Sequence, residues 1–412
     1  MSIAIAILGL GLLVLIHEAG HFFASLAVGL RPRKFYVGFP PAIVRTKRKG
    51  IEYGIGMIPL GGFVSIPGMH RPIPHDAERR FSRAVSEVPE LAGPVDRVKR
   101  ALEGDDLAAA LAVLDELESE VRGRALSPGA LAIAEKGLTE LRDGLGPDAY
   151  WKAPTWKRLV AIAAGPAANI VLAIILFTFL FMSVSGRATS TVAVVYPELT
   201  QGSGVASPAK KIGLQPGDRI VLIDGVRVKA NDIADTIAAS EGRPMAFTVV
   251  RDGQELQLGP VSAQSVDQDG RYRLGLSLKG RGLGLIAATR RAFWVTGIVA
   301  KEIVRGLGRL VTSEGRKEVS SPIGITQASS DAVEQGTERY LWVLGLISLS
   351  LALLNLLPLL PLDGGHILFA LLEGARGRAL RREIYERVSV VGLAIVLLLF
   401  FVGISNDIGR LS

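Results

Sequence analysis

An almost unbroken apolar segment at the start of the chain carries two histidines and a glutamate, and this combination constrains the fold most. The segment begins at Ile3 and contains the motif His17-Glu18-x-x-His21. Residues four apart share one face of a helix, so His17 and His21 can hold one metal ion between them. Glu18 lies where a carboxylate can take a proton from an attacking water. The motif also occurs by chance, but apolar residues would pack here without a desolvation cost, which favours a functional site.

The composition of the 412-residue chain predicts membrane spans that alternate with soluble parts. Hydrophobic residues make up 49% of the chain and the mean hydropathy is +0.36, yet 21% of the residues are charged. The net charge is +8. Nucleic-acid binding is one interpretation of this excess. The Lys and Arg clusters lie beside apolar segments, however, which favours cytoplasmic loops and no nucleic-acid partner.

The absence of cysteine narrows the choice of metal ligands. Disulfides and thiolate sites are excluded, which leaves histidine and carboxylate side chains. The chain has five histidines: His17, His21, His70, His75 and His366. We expect His70 and His75 in surface loops. For His366 two interpretations stay open, a hydrogen-bonding partner beside the site or the polar start of a cytoplasmic loop.

Four apolar segments are long enough to cross a bilayer, at about 20 residues per crossing. They are residues 2–28, 159–184, 340–362 and 388–404. Basic residues follow the first and third segments, so the positive-inside rule predicts an N-terminus outside and a site toward the cytoplasm. No basic region precedes the first segment, and we expect it to be retained as a span rather than removed as a signal peptide.

Two cytoplasmic parts are predicted between the first two spans. Residues 29–69 form a loop and a membrane-associated β-hairpin, because the segment with Gly61 and Gly62 is apolar but too rich in Gly and Pro for a helix. The hairpin either pairs with an extended peptide by strand addition or is a simple surface hairpin. Residues 70–149 form a helical insertion. Two helices are predicted there, one opening at Asp105-Asp106 and one at Ser127-Pro128.

Two further parts are predicted between the second and third spans. Residues 191–280 read as short strands with turn signals and one helix, which indicates a small extracytoplasmic α+β domain. Residues 283–311 are amphipathic and basic, which predicts a helix lying in the outer interface. Residues 321–325 are expected to form a loop.

The third span is predicted to break at its end. Asn355 is followed by Pro358 and Pro361 and then by Asp363. Prolines unwind a helix, which lets Asp363 turn inward. Because this span crosses in the opposite direction to the first, Asp363 would lie at the depth of the His pair and offer a third ligand.

These motifs resemble one family, the site-2 proteases, which are zinc intramembrane metalloproteases. The bacterial sigma-regulating subgroup with one PDZ domain is the most similar. The resemblance rests on His17-Glu18-x-x-His21, Asn355-x-x-Pro358-x-x-Pro361-Leu362-Asp363-Gly364-Gly365-His366, Pro59-Leu60-Gly61-Gly62-Phe63-Val64, Ala164-Gly165-Pro166-Ala167-Ala168-Asn169 and Gly213-Leu214-Gln215-Pro216-Gly217-Asp218-Arg219-Ile220.

The resemblance implies a fold. It is a multi-pass α-helical membrane protein with four transmembrane helices, a membrane-associated β-hairpin, a cytoplasmic helical insertion and an extracytoplasmic PDZ-like α+β domain. The location implied is the bacterial cytoplasmic membrane. The resemblance does not extend to about residues 84–147, where a regulator or partner role stays open. The PDZ-like domain, which can also take a regulator, either excludes substrates with bulky outer domains or binds a free C-terminus.

The resemblance also implies a reaction and its residues. The enzyme would be a Zn²⁺-dependent endopeptidase that cleaves single-pass membrane proteins such as anti-sigma factors or remnant signal peptides within the lipid bilayer. His17, His21 and Asp363 would be the zinc ligands, Glu18 the general base, and Asn355, Gly61 and Gly62 the substrate-binding residues. Asn355 alternatively only satisfies a broken helix. An inactive scaffold would not need the four polar groups together. A metal transporter would show internal repeats, which the sequence lacks.

Overall fold

The computed structural model describes residues 1–104, 106–183, 187–199, 205–265, 271–309, 320–378, 380 and 382–411. The predicted boundaries at 184 and 311 and the predicted helix start at Asp105 lie outside the described residues. The chain divides into two compact units. Unit 1 is Met1–Ala173 with Thr296–Ser412, and unit 2 is Ile174–Val295.

Unit 1 begins with an apolar helix and a pair of long strands. Helix α1 spans Ser2–Ala27, strand β1 spans Lys34–Arg48 and strand β2 spans Ile51–Ser65. The turn between the strands uses Lys49 and Gly50 at φ of 50° and 82°, a conformation that glycine adopts without strain. A hairpin is therefore present within residues 29–69, but the segment rich in Gly and Pro supplies only its second strand, β2, and the basic stretch before it, expected to be a loop, supplies β1.

Both strands bend, so that the pair behaves as four short segments side by side. Residues 44–48 pair with 51–55, residues 52–55 also pair with 34–37, and 34–37 pair in turn with 62–65. In the described register, the segment 62–65 therefore has a partner on one side only. An edge of this kind presents backbone donors and acceptors to an incoming chain.

The region between β2 and the second apolar helix forms a small bundle of four helices. They are α2 (Pro74–Glu87), α3 (Ala92–Glu103), α4 (Leu107–Gly123) and α5 (Pro128–Leu145), with 3₁₀ turns at Pro89–Leu91 and Tyr150–Lys152. The side chains of Phe81, Val98 and Leu114 are fully buried in its core. Burial of such side chains is the main source of stability for a bundle of this size.

Helices α4 and α5 lie where the sequence predicts helices, and their N-terminal caps explain why. Asp106 accepts a hydrogen bond from Ala109 N–H, and Ser127 accepts one from Ala130 N–H. Helices α2 and α3 were not predicted. Their charged sequences nevertheless carry a strong apolar periodicity at helical spacing, which was overlooked in the sequence and which forms the face that packs into the bundle core.

The second apolar helix, α6, spans Thr155–Met182 without interruption. It continues through Pro166, although the Gly165-Pro166 pair is a helix-weakening signal. Asn169 is fully buried on this helix, and its backbone carbonyl accepts a hydrogen bond of 2.8 Å from Ser348.

Unit 2 contains a six-stranded sheet with two short helices. Its elements are β3 (Arg187–Val195), α7 (Pro208–Lys211), β4 (Arg219–Ile223), β5 (Val226–Arg227), α8 (Ile233–Ala239), β6 (Pro244–Arg251), β7 (Gln254–Ser262) and β8 (Leu276–Arg281). The strand order is β7-β6-β4-β3-β8, and β5 pairs with β4. Phe247 and Val249 of β6 are fully buried beneath Ile233 of α8.

The rest of the described chain is helical. It comprises α9 (Leu285–Arg309), α10 (Pro322–Glu334), α11 (Thr337–Asn355), α12 (Asp363–Arg376) and α13 (Arg382–Leu411). The loop expected at 321–325 is instead the start of α10. Ser321 caps its first turn, and Asp407 accepts hydrogen bonds from the N–H groups of Ser321 and Gly324.

Within the described residues, four helices are long and apolar enough to cross a membrane. They are Ser2–Ala27, Thr155–Met182, Thr337–Asn355 and Glu383–Gly409. The third is shorter than the predicted span 340–362, because α11 ends at Asn355 and the two prolines that follow cannot continue it. These helices agree with a membrane protein.

A bidentate ion pair joins the residue just before β4 to the last residue of β6 in unit 2. Arg251 Nε and Nη2 each lie 2.7 Å from an oxygen of Asp218, whose side chain is fully buried, and Gln215 N–H donates to the same carboxylate. Burial alone would raise the pKa of Asp218, but the hydrogen bonds from Arg251 and Gln215 outweigh it and hold the pKa below its usual value.

We predict that Asp218→Asn destabilises unit 2 by about 2 kcal/mol at pH 7, less than the about 3–5 kcal/mol of a fully buried pair because Arg251 is partly exposed. The stabilisation that ionised Asp218 gives to unit 2 is complete above its unfolded-state pKa of about 3.9. It is lost as the pH falls through the lower folded-state pKa. Thermal unfolding of the full chain between pH 3 and pH 7 measures both effects. The exposed Asp235→Asn is the matched control, and equal melting of the two variants would contradict the prediction.

Candidate metal centre

Three potential ligand atoms meet in unit 1. His17 Nε2 lies 3.2 Å from His21 Nε2, and Asp363 Oδ2 lies 3.2 and 3.3 Å from these two nitrogens. His17 and His21 are buried, and Asp363 is largely shielded. The three residues form a group that could hold a metal ion among the described His, Asp and Glu side chains.

The shape of this triangle fits zinc. Four ligand atoms arranged tetrahedrally at about 2.0–2.1 Å from Zn²⁺ lie about 3.3–3.4 Å apart, close to all three observed edges. Asp363 Oδ2 is buried and accepts no hydrogen bond in the described structure. A buried carboxylate oxygen without a donor is costly unless a cation completes its coordination. The residues present therefore fit the metal, and three protein ligands leave one position open.

The outward nitrogens of both imidazoles contact helix α6. His21 Nδ1 lies 2.9 Å from the carbonyl oxygen of Ala161, which accepts its N–H and leaves Nε2 free to bind a metal. His17 Nδ1 lies 3.4 Å from the side-chain amide of Asn169, whose Oδ1 has no hydrogen-bond partner. Rotating this amide by 180° would let Oδ1 accept the Nδ1 proton of His17 and fix the same tautomer.

Glu18 lies beside the triangle, and strand β2 holds it there. The backbone N–H of Val64 lies close enough to interact with its carboxylate. A Cβ atom on Gly62 would approach Glu18 Cγ to 2.9 Å and Tyr36 O to 2.7 Å. Only glycine therefore lets the strand pass this close to the carboxylate.

The seven predicted site residues line one cavity of about 670 Å³. They are His17, Glu18, His21, Gly61, Gly62, Asn355 and Asp363. The Nδ2 atom of Asn355 lies 3.5 Å from His17 Nε2, so its amide borders the ligand triangle. The structure thus brings together residues from both ends of the chain, as the predicted depths required.

The short segment 356–362 places Asp363 at the start of a helix. Helix α11 ends at Asn355, and α12 begins at Asp363, which lies in its first turn. A Cβ on Gly364 would collide with the carbonyl of Leu356, so the two helix ends meet as closely as their backbones allow. Asp363 therefore enters the cavity from a new helix, where the N-terminal dipole favours a negative charge.

Two glycines allow α1 and α6 to approach at the metal centre, and these were not among the predicted site residues. A Cβ on Gly165 would collide with the imidazole ring of His21, and a Cβ on Gly20 would collide with the carbonyl of Ala164. The sequence signal was the cluster of small residues around Gly165 and Asn169, which predicted helix packing but not its partner.

The remaining histidines divide into two kinds. His366 lines the cavity beside the ligands, so its place agrees with a neighbour of the site rather than with a cytoplasmic loop. His70 packs edge-on against the ring of Tyr385 at 4.7 Å between centroids. His75 is exposed and lies 3.7 Å from Glu78. In the described residues, neither His70 nor His75 joins the candidate metal group.

A comparison with protein-family models gives one match over nearly the whole chain. The model described as Peptidase family M50 matches residues 5–399. This range includes the three candidate ligands, Glu18 and Asn355. The resemblance inferred from the motifs is therefore confirmed at the level of the family.

Curated bacterial proteins are similar over their full length. Zinc metalloprotease RasP of Geobacillus kaustophilus is 27% identical over 424 residues, covering 99% of this chain and 98% of that protein. Regulator of sigma-W protease RasP of Bacillus subtilis is 27% identical over 421 residues, covering 97% and 96%. Zinc metalloprotease RasP of Bacillus licheniformis is 28% identical over 424 residues, covering 98% of each.

We predict that Gly165→Ala lowers metal affinity at least about tenfold, the scale seen when the support of a ligand is disturbed, because the methyl group must displace the His21 ring. Metal content per chain after dialysis against a graded chelator series measures the effect. Gly11→Ala is the matched control, since a Cβ there meets nothing within 4 Å. Equal metal retention by both variants would show that the ring tolerates the contact.

Proposed function

The chain belongs to peptidase family M50, the site-2 proteases, and is a zinc metalloendopeptidase, and from this premise we propose that it cleaves peptide bonds inside membrane-spanning segments of its substrates. The observation that carries the proposal is the place of the ligands. His17 and His21 lie within a 26-residue apolar helix, and the cavity opens beside the end of another candidate span. A site at that depth favours substrates that are themselves in the bilayer.

We assign the ligand role to His17, His21 and Asp363. Bound zinc supplies a Lewis acid that polarises the scissile carbonyl and makes water acidic enough to lose a proton near neutral pH. Glu18 takes that proton as general base and then passes it to the leaving amine. The Val64 N–H lies beside the Glu18 carboxylate, and both residues line the cavity.

Asn355 and the edge segment 62–65 form the proposed substrate-binding surface. A substrate helix keeps its carbonyls in its own hydrogen bonds, so it must unwind before a peptide bond is exposed. Addition to the edge at Gly62 would hold the unwound stretch extended beside Glu18. The Asn355 amide, at the border of the ligand triangle, would donate to the substrate carbonyl as negative charge develops on its oxygen.

The distribution of basic residues supports one topology. The clusters after the first and third candidate spans put the N-terminus outside and the metal centre toward the cytoplasmic face of a bacterial inner membrane. The helical bundle 74–145 is then cytoplasmic, and the sheet of unit 2 is an extracytoplasmic PDZ-like domain.

The substrates proposed are single-pass membrane proteins, with anti-sigma factors or remnant signal peptides as the first candidates. One relative is named as the regulator of sigma-W protease, which supports the anti-sigma class. The PDZ-like domain is proposed to exclude substrates with bulky outer parts. The alternative is that it binds a free C-terminus, for which a cavity of about 650 Å³ beside α8 in unit 2 has room.

We predict that Glu18→Gln abolishes cleavage of a membrane-embedded model substrate, by a factor of at least about 10³, while zinc content stays at the wild-type level. The amide keeps the size of the side chain but cannot accept the proton. Zinc per chain and cleavage in vesicles are measured together, with the exposed Glu78→Gln as control. Persistent cleavage by Glu18→Gln would remove the base assignment.

We also predict that a substrate is cleaved faster after its outer domain has been removed, because the PDZ-like domain excludes the intact form. The measurement compares one substrate with and without a folded outer domain in the same vesicles. Equal rates would reject exclusion by size. A rate that instead depends on a free C-terminus would support peptide binding in its place.

A further inference from the structure

We propose that Arg33 is a positioning residue for the reaction, because it fastens the strand segment that borders Glu18 to the helical bundle 74–145. The inference rests on the proposed function, since it concerns the strand assigned to the substrate. Its basis is a continuous set of contacts within unit 1.

Arg33 joins the two parts through both its side chain and its backbone. Its Nε lies 2.9 Å from Asp143 Oδ1 and its Nη2 lies 3.1 Å from Asp148 Oδ2. Its N–H donates to the carbonyl of Ser65 at 2.7 Å, and its own carbonyl accepts from Glu52 N–H at 2.9 Å. Arg33 therefore contacts the bundle through its side chain, and it contacts two segments of β2, at Glu52 and Ser65, through its backbone.

The edge segment 62–65 is hydrogen-bonded to Arg33 through its last residue, Ser65. Ser65 is the last residue of β2, and the segment 62–65 contains Gly62, which passes against the Glu18 side chain, and Val64, whose N–H lies beside the Glu18 carboxylate. A shift of Ser65 would therefore move the backbone that borders both the general base and the added substrate strand.

The bundle gives Arg33 a fixed support. Just beyond β2, Pro67 and Gly68 accept hydrogen bonds of 2.9 and 3.0 Å from the N–H groups of Tyr150 and Trp151. The indole Nε1–H of Trp151 donates to Gly144 O at 2.7 Å. Asp143 lies on α5, whose buried face packs into the bundle core. Asp143 is thus anchored by the packing of the bundle, and Asp148 lies just beyond α5, before the hydrogen-bonded residues Tyr150 and Trp151.

The loss of catalysis expected on replacing Arg33 depends on how far its two ion pairs are exposed to water. The side chains of Arg33, Asp143 and Asp148 are 35%, 20% and 24% exposed, so water screens the two ion pairs in part. Two charge-assisted bonds on one guanidinium still fix its direction better than one. We expect a change of several-fold in catalysis rather than its loss.

The chain supplies a matched control two residues away. Arg31 is an exposed residue of the same basic loop, and its charge contributes equally to the predicted topology. In purified full-length, zinc-loaded protein in vesicles, we expect Arg33→Gln to lower kcat/KM for a membrane-embedded substrate three- to tenfold, with unchanged zinc content. Arg31→Gln should match the wild type. Arg33→Asp should be at least as impaired, and Arg33→Asp combined with Asp143→Arg should recover at least half of the lost activity.

A second measurement does not depend on activity. Because the chain has no cysteine, Ser65→Cys offers a single site for a nitroxide spin label. We expect the label to become more mobile when Arg33→Gln is added and to stay unchanged when Arg31→Gln is added. A role of Arg33 in bundle stability alone would lower the melting temperature without changing label mobility at 25 °C.

Three outcomes overturn the proposal: equal kcat/KM for the Arg33 and Arg31 variants, equal label mobility, or loss of zinc in Arg33→Gln, which would place its effect at the metal centre. The proposed function fails separately. If the wild type does not cleave the membrane-embedded substrate, intramembrane cleavage is rejected, while the label at position 65 still decides whether Arg33 fastens the strand.

Discussion

The convergence of two imidazole nitrogens and one carboxylate oxygen within 3.3 Å is the interaction on which unit 1 depends. Charged and polar groups of this kind are expensive inside apolar helices unless they are paired or bind a cation. Around them the helices approach by means of glycine at 165 and 364, and polar partners on α6 orient the imidazoles. The packing of apolar helices is thus arranged around a polar centre.

The sequence predicted which side chains meet at the centre, because the motifs that carry them are local and specific. His17, Glu18 and His21 are fixed by helical spacing, and Asp363 follows from a proline-broken span. The family and the zinc dependence inferred from these motifs are confirmed. Contacts made by backbone groups, such as Ala161 O, were beyond sequence reasoning, because a peptide group carries no signature of its partner.

The fold was predicted less evenly, and the reasons are physical. Strongly apolar helices can be recognised from their composition alone. Helices α2 and α3 are too charged to be recognised in that way, but their apolar residues recur at helical spacing, and this periodicity in the sequence was overlooked. At Ser321 a cap followed by proline is a helix start, yet the glycine and proline there suggested a loop. The bent β2 depends on tertiary pairing and could not be inferred at all.

The place of Asp363 has a consequence for the architecture of the whole chain. Asp363 lies on α12, late in the chain, whereas the other two candidate ligands, His17 and His21, lie on α1. An ion bound by all three would close a loop over residues 21–363, which contains the hairpin, the helical bundle and the sheet of unit 2, as a disulfide closes a loop in other proteins. This chain has no cysteine with which to form a disulfide. The same ion would then take part in the reaction and also cross-link the first helix to α12, so that metal binding would supply both the catalyst and a structural link.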